Sequence, residues 1–251
     1  MENDTIKELY DNWVSRVCSF LMEEGPKYNL PCGTFQSKPI LDKQPNVVFL
    51  GFNPHEPGVF DSYNIKKRFY NGNDSFYSAE GKTWPVWKPL HDFFEWAGYT
   101  NPIEDGRFVF FNAIYFGTKN IYELKRISGI NEAINKCLKY TGEVIQDIFK
   151  PKCVVCLSVP NCFDILNRFF HFSNVKRVNT IQETDDEIIE FAMNKECKGW
   201  KIRYNCKRVV KKGLWNNIPV YGIPHPSGRV SNDDSGAIAL YLRSEMQKMS
   251  I

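Results

Sequence analysis

Four short apolar runs constrain the fold of this chain more than any other feature. They occupy residues 47–50, 107–112, 152–157 and 218–223, and helical patterns separate them. Apolar runs of this length that alternate with helices are typical of strands buried on both faces of a parallel sheet. The sequence therefore predicts the α/β class, as a three-layer α/β/α sandwich around a central four-stranded parallel sheet.

Helices are predicted wherever large apolar side chains recur every three or four positions. Such spacing covers residues 5–24, 84–98, 130–149, 161–170 and 236–249. The first helix is expected to end at Gly25 and Pro26, because glycine and proline both disfavour continuation. Residues 28–45 and 60–82 lack a period and are predicted to be irregular. No repeat or linker divides the chain, so we expect a single domain over residues 1–251.

The composition is that of a globular protein, with 43% hydrophobic residues, 24% charged residues and a net charge of +3. The first 24 residues mix charges with apolar side chains and lack the basic start and apolar core of a secretory signal. No run approaches the roughly 18 to 20 apolar residues that a membrane span needs. We therefore expect an intracellular, monomeric protein without membrane contact, in the cytoplasm, with the nucleus left open.

The eight cysteines are scattered through helical and strand patterns, so reduced thiols are expected. Cys153 and Cys156 form a C-x-x-C within the third apolar run. Residues three apart in a strand face opposite sides of the sheet, so this pair cannot bind one metal ion there. Buried structural cysteines are the favoured interpretation, and a metal or redox site is the alternative. We predict no metal and no cofactor.

A basic segment over residues 198–212 has seven Lys or Arg residues and no acidic residue. Aromatic residues lie within and beside it, and an acidic segment over residues 183–190 precedes it. Basic residues interleaved with aromatic rings suit a phosphate backbone and stacked bases, which makes Lys207 and Arg208 candidate DNA contacts. A solvated basic hairpin explains the same composition, and both interpretations stay open.

Polar side chains follow three of the four apolar runs. Asn53 lies in the turn after the first run, Asn112 ends the second, and His225 follows the fourth. The carboxyl ends of parallel strands share one edge of a sheet, where ligands bind in open α/β folds. For Asn53, an ordinary surface turn is the alternative, because its Gly-x-Asn-Pro context is a weak signal by itself.

The chemistry of these three side chains is that of hydrogen bonding rather than nucleophilic attack. An asparagine amide offers donors and an acceptor without charge, and a histidine can donate a hydrogen bond to a developing oxyanion. The sequence shows no Ser/His/Asp order, no phosphate-binding Gly-x-x-x-x-Gly-Lys and no dinucleotide-binding Gly-x-Gly-x-x-Gly. This set favours a reaction in which the bond breaks mainly by departure of the leaving group while the protein stabilises charge.

Three segments resemble the signature motifs of the uracil-DNA glycosylase superfamily. They are Gly51-Phe-Asn-Pro54, Asn112-Ala113 and His225-Pro-Ser-Gly-Arg229, in the order found in that family. The resemblance spans residues 47–232 and is closest to the mismatch-specific and single-strand-selective branches, which have Asn at the position of Asn53. It implies a monofunctional DNA glycosylase of base excision repair, which hydrolyses the N-glycosidic bond of uracil or a related deaminated or damaged base flipped out of DNA.

The resemblance also assigns a role to each matching position. Asn53 would position the hydrolytic water, and His225 would stabilise negative charge on the departing base. Asn112 would bind the edge of the base. Contacts to the DNA backbone and a wedge in the minor groove would come from Ser227, Gly228, Arg229 and Val230.

The flipped base would also need an aromatic wall. The resemblance places a stacking ring in the loop after the first motif, where Phe76 is the first choice and Phe69 and Phe60 are alternatives. Simple loop packing explains Phe76 equally well. Phe52, within the first motif, is assigned to base binding as well.

The sequence departs from the family in several places. The most active members have Asp at the position of Asn53, so the asparagine implies weaker activation of water. The segment His55-Glu56-Pro57 separates the Asn-Pro pair from Gly58, whereas the related branches have glycine directly after Asn-Pro. Residues 180–213 are longer than in typical members and are predicted to be an insertion or elaboration. The cluster cysteines of the iron–sulfur branches are not matched.

Two other functions stay open at this point. One is a nucleic-acid-binding protein that keeps the fold but is catalytically weak or inactive, which the asparagine and the altered loop favour. The other is an enzyme that acts on free nucleotides or on another N-glycoside.

Overall fold

The computed structural model describes residues 2–73, 98–99, 102–194, 207–226, 228 and 230–251. The chain forms two compact units, one of Met1–Tyr77 and Gly106–Pro151 and the other of Ser78–Asp105 and Lys152–Ile251. Both contain strands and helices, and the strands pair in parallel and antiparallel directions. The prediction of the α/β class is therefore confirmed, and the prediction of a single domain stays a prediction.

The first unit contains a parallel pair of strands and several helices. In chain order they are α1 (Glu2–Tyr28), β1 (Val47–Gly51), α2 (Ile65–Asn71), β2 (Phe108–Asn112), α3 (Ile121–Arg126) and α4 (Ile130–Glu143), which continues as a π-helix over Val144–Phe149. Every residue of β1 and β2 is buried, as their uniformly apolar sequences predict. The parallel register pairs Val47 with Phe108 and Gly51 with Asn112.

Aromatic side chains form much of the core of this unit. Tyr10 and Trp13 of α1 are fully buried, and their rings pack against those of Phe35, Phe69 and Phe149. The polar atoms of the two α1 rings are satisfied, since Tyr10 Oη donates to the Phe69 carbonyl at 2.5 Å and Trp13 Nε1 donates to the Tyr140 carbonyl at 3.0 Å. The aromatic richness of the sequence is therefore used largely for packing in this unit.

The connection between α1 and β1 runs along one edge of β2. The Gly33 amide donates to the Tyr115 carbonyl at 2.9 Å, and the Ser37 amide donates to the Phe110 carbonyl at 3.0 Å. These bonds use backbone groups of the β2 edge without building a regular strand. The sequence predicted this connection as irregular, and it is.

The second unit contains the remaining strands. Its elements are β3 (Cys153–Leu157), a π-helical turn (Val159–Phe163), α5 (Asp164–Phe170), β4 (Ser173–Val178), α6 (Thr180–Glu183), α7 (Asp186–Asn194), β5 (Val210–Trp215), β6 (Ile218–Ile223) and α8 (Asn232–Lys248). The strand order is β3-β6-β5-β4. Strand β6 is parallel to β3 and antiparallel to β5, which is in turn antiparallel to β4.

A tight hairpin joins β5 to β6. Its two turn residues, Asn216 and Asn217, have φ angles of +46° and +71°. Two-residue hairpin turns require positive φ, and asparagine tolerates it better than most residues. The four apolar runs are thus all strands, but β4 and β5 were not predicted, and the sheet structure is mixed rather than purely parallel.

Two local predictions were wrong. Helix α1 continues through Gly25 and Pro26 to Tyr28. The amide that Pro26 lacks would have bonded the carbonyl of Met22, a residue that is 48% exposed, so water can take its place. The segment 60–82, predicted as irregular, contains α2, whose Ile65 and Phe69 are buried one helical turn apart. The helix predicted over 84–98 lies outside the described residues except for Gly98.

No helix in the described part of the chain is long and apolar enough to cross a membrane.

Candidate functional site

The carboxyl ends of β1 and β2 bring two predicted site residues together. Gly51 and Asn112 are register partners at the end of this parallel pair. Beyond them the backbones remain bonded, because the Ala113 amide donates to the Gly51 carbonyl at 2.9 Å and the Ile114 amide donates to the Phe52 carbonyl at 2.7 Å. Asn53 and Asn112 therefore lie at the carboxyl ends of two adjacent strands, at the same end of this parallel pair.

The Asn53 amide has a fixed orientation. Its Nδ2 donates to Thr118 Oγ1 at 3.0 Å and to the Pro54 carbonyl at 3.2 Å. The single hydroxyl hydrogen of Thr118 is already donated to the Asn120 carbonyl at 2.8 Å, so this oxygen faces Asn53 only as an acceptor. The nitrogen of Asn53 must then point to Thr118, which leaves Oδ1 as an acceptor on the opposite side.

The Asn112 side chain is held more tightly and is only 5% exposed. Its Nδ2 donates to the Thr34 carbonyl at 3.3 Å, while the Thr34 hydroxyl donates to the Asn112 carbonyl at 2.5 Å. A Cβ atom on Gly51 would lie 2.3 Å from Asn112 Oδ1, so only glycine leaves room for the amide in this position. The result is a buried amide whose orientation is fixed by the Thr34 carbonyl and by the close approach of Gly51.

The loop that follows Asn53 is held by ion pairing rather than left unsupported. Glu56 forms a two-point ion pair with Arg68 of α2, in which Arg68 Nη1 donates to Glu56 Oε2 at 2.5 Å. The hydrogen bond to Glu56 raises the pKa of Arg68 above its ordinary value. His55 pairs with Thr118 through a β-bridge, and the Thr118 amide donates to the Pro54 carbonyl at 3.2 Å. The inserted His55-Glu56-Pro57 segment is thus built into the first unit.

These contacts limit the chemistry of the loop. The Glu56 carboxylate is committed to Arg68, so it is not placed as a base for water. Burial raises the pKa of the nearby Cys32 thiol to about 12, so this thiol is protonated at neutral pH and is not a nucleophile. What remains are two oriented, uncharged amides, which can bind water and a polar ring edge.

His225 lies in the second unit, directly after β6 and Pro224, and its side chain is exposed. Its carbonyl accepts a hydrogen bond from the Gly228 amide at 2.8 Å, and the Val230 amide donates to the Gly228 carbonyl at 2.7 Å. A Cβ atom on Gly228 would lie 2.9 Å from the His225 carbonyl oxygen, so this turn is closed tightly. Ser227 and Arg229 lie outside the described residues.

The predicted aromatic wall finds little support among the described rings. Phe76, the first choice, lies outside the described residues. Phe69 is fully buried among the rings of the core, so it was wrong as an alternative stacking residue. Phe60 is half-buried beside Gly25, and Phe52 is 8% exposed.

Two of the four described cations of the basic segment, Lys211 and Lys212, form ion pairs within the second unit. Lys211 lies 2.7 Å from Asp164, and Lys212 lies 2.6 Å from Glu183 and 3.5 Å from Glu245. Lys207 and Arg208 are exposed. The Lys207 backbone amide donates a hydrogen bond to Asp234 Oδ1 at 2.7 Å. The structure therefore shows ion-paired lysines in β5, and the two interpretations of the exposed residues Lys207 and Arg208 both stay open.

Six of the eight cysteines lie within the described residues. Those at positions 18, 32, 137, 153, 156 and 162 are free thiols, and all but Cys18 are buried. Within the described ranges, no group of three His, Cys, Asp or Glu side chains could hold a metal ion.

Sequence reasoning missed Thr34, Thr118 and the Glu56–Arg68 pair. The hydrogen bonds from Asn112 to Thr34 and from Asn53 to Thr118 span 78 and 65 residues. No periodic pattern marks such distant partners. For α2, which supplies Arg68, the signal was present, since Ile65 and Phe69 are spaced by one helical turn before Gly72.

Comparisons of the chain with protein-family models and with curated proteins found no match.

Proposed function

We propose that this protein is a monofunctional DNA glycosylase, which hydrolyses the N-glycosidic bond of uracil or a related deaminated or damaged base flipped out of DNA. The observation that carries the proposal is the pair of oriented amides, Asn53 and Asn112, at the carboxyl ends of adjacent parallel strands. It agrees with the resemblance of the three sequence motifs to the uracil-DNA glycosylase superfamily.

In this proposal Asn112 selects the base. The imide edge of uracil presents a donor and an acceptor, which the remaining Nδ2 hydrogen and Oδ1 of Asn112 can pair. Because the hydrogen bond to Thr34 and the close contact with Gly51 prevent the amide from turning over, cytosine, which presents the reverse pattern, is rejected.

Asn53 and His225 act on bond breaking. As the glycosidic bond breaks, its electron pair leaves with the base, and His225 donates a hydrogen bond to the negative charge that develops there. Water held by Asn53 Oδ1 then adds to C1′ of the sugar and loses a proton to solvent, and the departed base anion takes up a proton in turn. A neutral amide orients the water without acting as a base, so the step depends on charge stabilisation more than on water activation.

The same proposal extends to fold and DNA contacts. The parallel strands β1, β2, β3 and β6 would make the uracil-DNA glycosylase-like core of a single-domain monomer, with β4, β5 and residues 180–213 as an elaboration. Contacts to the DNA backbone and minor groove are assigned to Ser227, Gly228, Arg229 and Val230, with the flipped base against Phe52 and Phe76.

A second candidate is a nucleic-acid-binding protein of the same fold with weak or no catalysis. The observation that favours it is the environment of Asn53. Both of its Nδ2 hydrogens are used within the protein, and Glu56, the carboxylate nearest to Asn53 along the loop, is neutralised by Arg68. Binding of a water molecule would then be its full contribution.

One assay separates these candidates. The purified protein is incubated with end-labelled single- and double-stranded oligonucleotides that carry uracil, hypoxanthine or a mismatched thymine, and alkali then cleaves any abasic site. The proposal expects strand breaks at one or more of these bases. Binding of the same oligonucleotides without breaks would establish the binding protein instead, and release of base from free nucleotides alone would establish an enzyme of nucleotide metabolism. Protein with Asn53→Ala, purified in parallel, controls for contaminating glycosylases.

A further inference from the structure

The turn that orients Asn53 continues into α3, and the start of this helix is exposed. Lys119 follows Thr118 directly, and Tyr122, in the first turn of α3, is 67% exposed. We propose that Lys119, Tyr122 and His55 form a contact surface for a single strand of polynucleotide next to the Asn53 site. This inference rests on the proposed function and names part of the surface that binds the substrate strand.

The backbone of this surface is rigid. Asn120 caps α3, because its Oδ1 accepts hydrogen bonds from the Tyr122 amide at 2.9 Å and from the Glu123 amide at 3.0 Å. In return, Glu123 Oε2 accepts from the Lys119 amide at 3.1 Å. This reciprocal cap fixes the first turn, so the Tyr122 ring is held in solvent by ordered backbone.

The segment that carries Lys119 and Tyr122 has an excess of positive charge. Between Lys119 and Arg126 there are three cations and one carboxylate, for a net charge of +2. The carboxylate, Glu123, is bonded to backbone and to Asn120, and within the described part of the chain no ion pair reaches Lys119, Lys125 or Arg126. A polyanion therefore meets these cations without having to displace an internal partner.

The surface is connected to the site by direct bonds. The Thr118 hydroxyl accepts the hydrogen bond from Asn53, and the residue that bridges to Thr118 is His55, whose side chain is exposed. Lys119 is thus one residue from a group that contacts Asn53. A strand whose target base reaches Asn53 and Asn112 would place its neighbouring nucleotides against these side chains.

The side-chain chemistry indicates an unpaired strand. An exposed tyrosine ring stacks on a base of any sequence, and lysine beside it binds phosphate, which is how single-stranded nucleic acid is held without sequence readout. In a duplex the faces of the bases are covered by stacking, so Tyr122 would find no ring to contact. The occupant is therefore a single strand of polynucleotide.

The test measures binding of a fluorescent oligothymidine that contains no target base, by anisotropy over a range of salt concentrations. Tyr122→Ala is expected to weaken binding about tenfold, the loss typical of one stacked base, while Tyr122→Phe keeps the ring and the affinity. Lys119→Gln should lower the slope of log K against log salt by about 0.7, as expected for one phosphate contact on a single strand.

Two matched controls report on the rest of the unit. Tyr63→Ala removes a ring that is 90% exposed and lies near a carboxylate, because the Tyr63 amide donates to Asp61 Oδ1. Lys139→Gln removes an exposed lysine of α4. Both should bind like the unchanged protein. Equal binding by Tyr122→Ala and the unchanged protein, or no binding by the unchanged protein, would overturn the inference.

The outcomes also separate this inference from the proposed function. Binding that depends on Tyr122 and Lys119 without release of any base would keep the surface and reject the glycosylase. Base release that is insensitive to both substitutions, with unchanged oligothymidine affinity, would keep the glycosylase and reject the surface. Binding of acidic proteins but not of oligothymidine would reject the surface as a nucleic-acid site.

Discussion

The site loops of the first unit and the basic hairpin of the second unit use their polar side chains in opposite ways. In the first unit, Asn53 and Asn112 are fixed by uncharged hydrogen-bond partners, Thr118 and Thr34. Arg68 is paired with Glu56, but the exposed cations Lys119, Lys125 and Arg126 have no ion pair within the described residues. In the second unit, lysines of β5 are paired with carboxylates of its own helices.

This difference shows that the number of lysines in a segment does not measure its positive surface. Residues 198–212 are the most basic segment of the sequence, yet Lys211 and Lys212 are matched by Asp164, Glu183 and Glu245. The segment at α3 is less basic in sequence, but its charge is available. Pairing, which depends on tertiary contacts, decides which cations can meet a polyanion.

The largest effect is expected for the two residues to which the proposed function assigns bond breaking, His225 and Asn53. Removing His225 in His225→Ala should slow base release by about a hundredfold to a thousandfold, the usual loss for one group that stabilises developing charge. Asn53→Ala should also remove most base release, while both variants keep their affinity for DNA. Single-turnover release from a uracil oligonucleotide measures the effect. Unchanged rates of base release in both purified variants would contradict the proposed glycosylase activity.

The next effect is on stability and tests the packing of Asn112. Gly51→Ala places a Cβ atom where Asn112 Oδ1 now lies, at 2.3 Å, and should lower the free energy of unfolding by about 1–3 kcal/mol through overpacking. Gly236→Ala is the control, since a Cβ atom there meets nothing within 4 Å and α8 should gain up to about 1 kcal/mol. Urea unfolding measures both. Equal losses would show that Gly51 is not specially restricted.

The hairpin is expected to contribute less to DNA binding than the α3 surface. Lys207 and Arg208 are exposed, so the double charge reversal Lys207→Glu and Arg208→Glu should weaken DNA affinity and flatten its salt dependence, by about 0.9 for each duplex phosphate contact that is lost. The change in affinity should be smaller than for Tyr122→Ala. An unchanged salt slope would assign the basic segment to internal ion pairing alone.

The smallest effect concerns the ion pairs of the second unit and depends on pH. Burial alone would raise the pKa of Glu183, but hydrogen bonds and charge from Lys212 and Lys176 lower it below its ordinary value. A carboxylate with a lowered folded pKa contributes stability that is complete above the unfolded pKa of about 4.3 and is lost as pH falls through the folded value.

The substitution Lys212→Gln should therefore reduce the loss of stability between neutral and acidic pH. Because Glu183 and Lys212 remain partly exposed, with side-chain exposures of 22% and 26%, the change at neutral pH should be about 0.2–1 kcal/mol. Urea unfolding at pH 7 and pH 3.5 measures the difference, with the exposed Lys139→Gln as control. An equal fall in the free energy of unfolding of both variants between pH 7 and pH 3.5 would show that the Glu183–Lys212 pair does not contribute to stability.

Much of the fold could be predicted from the sequence, because buried strands need continuous apolar runs. All four predicted strands exist, and the polar residues Asn53, Asn112 and His225 follow β1, β2 and β6 as expected. Strand β4 was missed because all but its last residue is exposed, and its sequence carries no apolar run. Strand β5 was missed because lysines are typical of a solvated segment, and the sequence does not show the carboxylates with which they form ion pairs.

The sequence by itself determined the α/β class and the position of each polar residue relative to its strand, because these depend on short-range patterns of burial and on turn-forming residues. The tertiary structure alone decided how the amides of Asn53 and Asn112 are oriented, since their partners Thr118 and Thr34 lie 65 and 78 residues away. It also decided which cations are paired. Both are properties of long-range contacts, and a linear pattern of residues does not contain them.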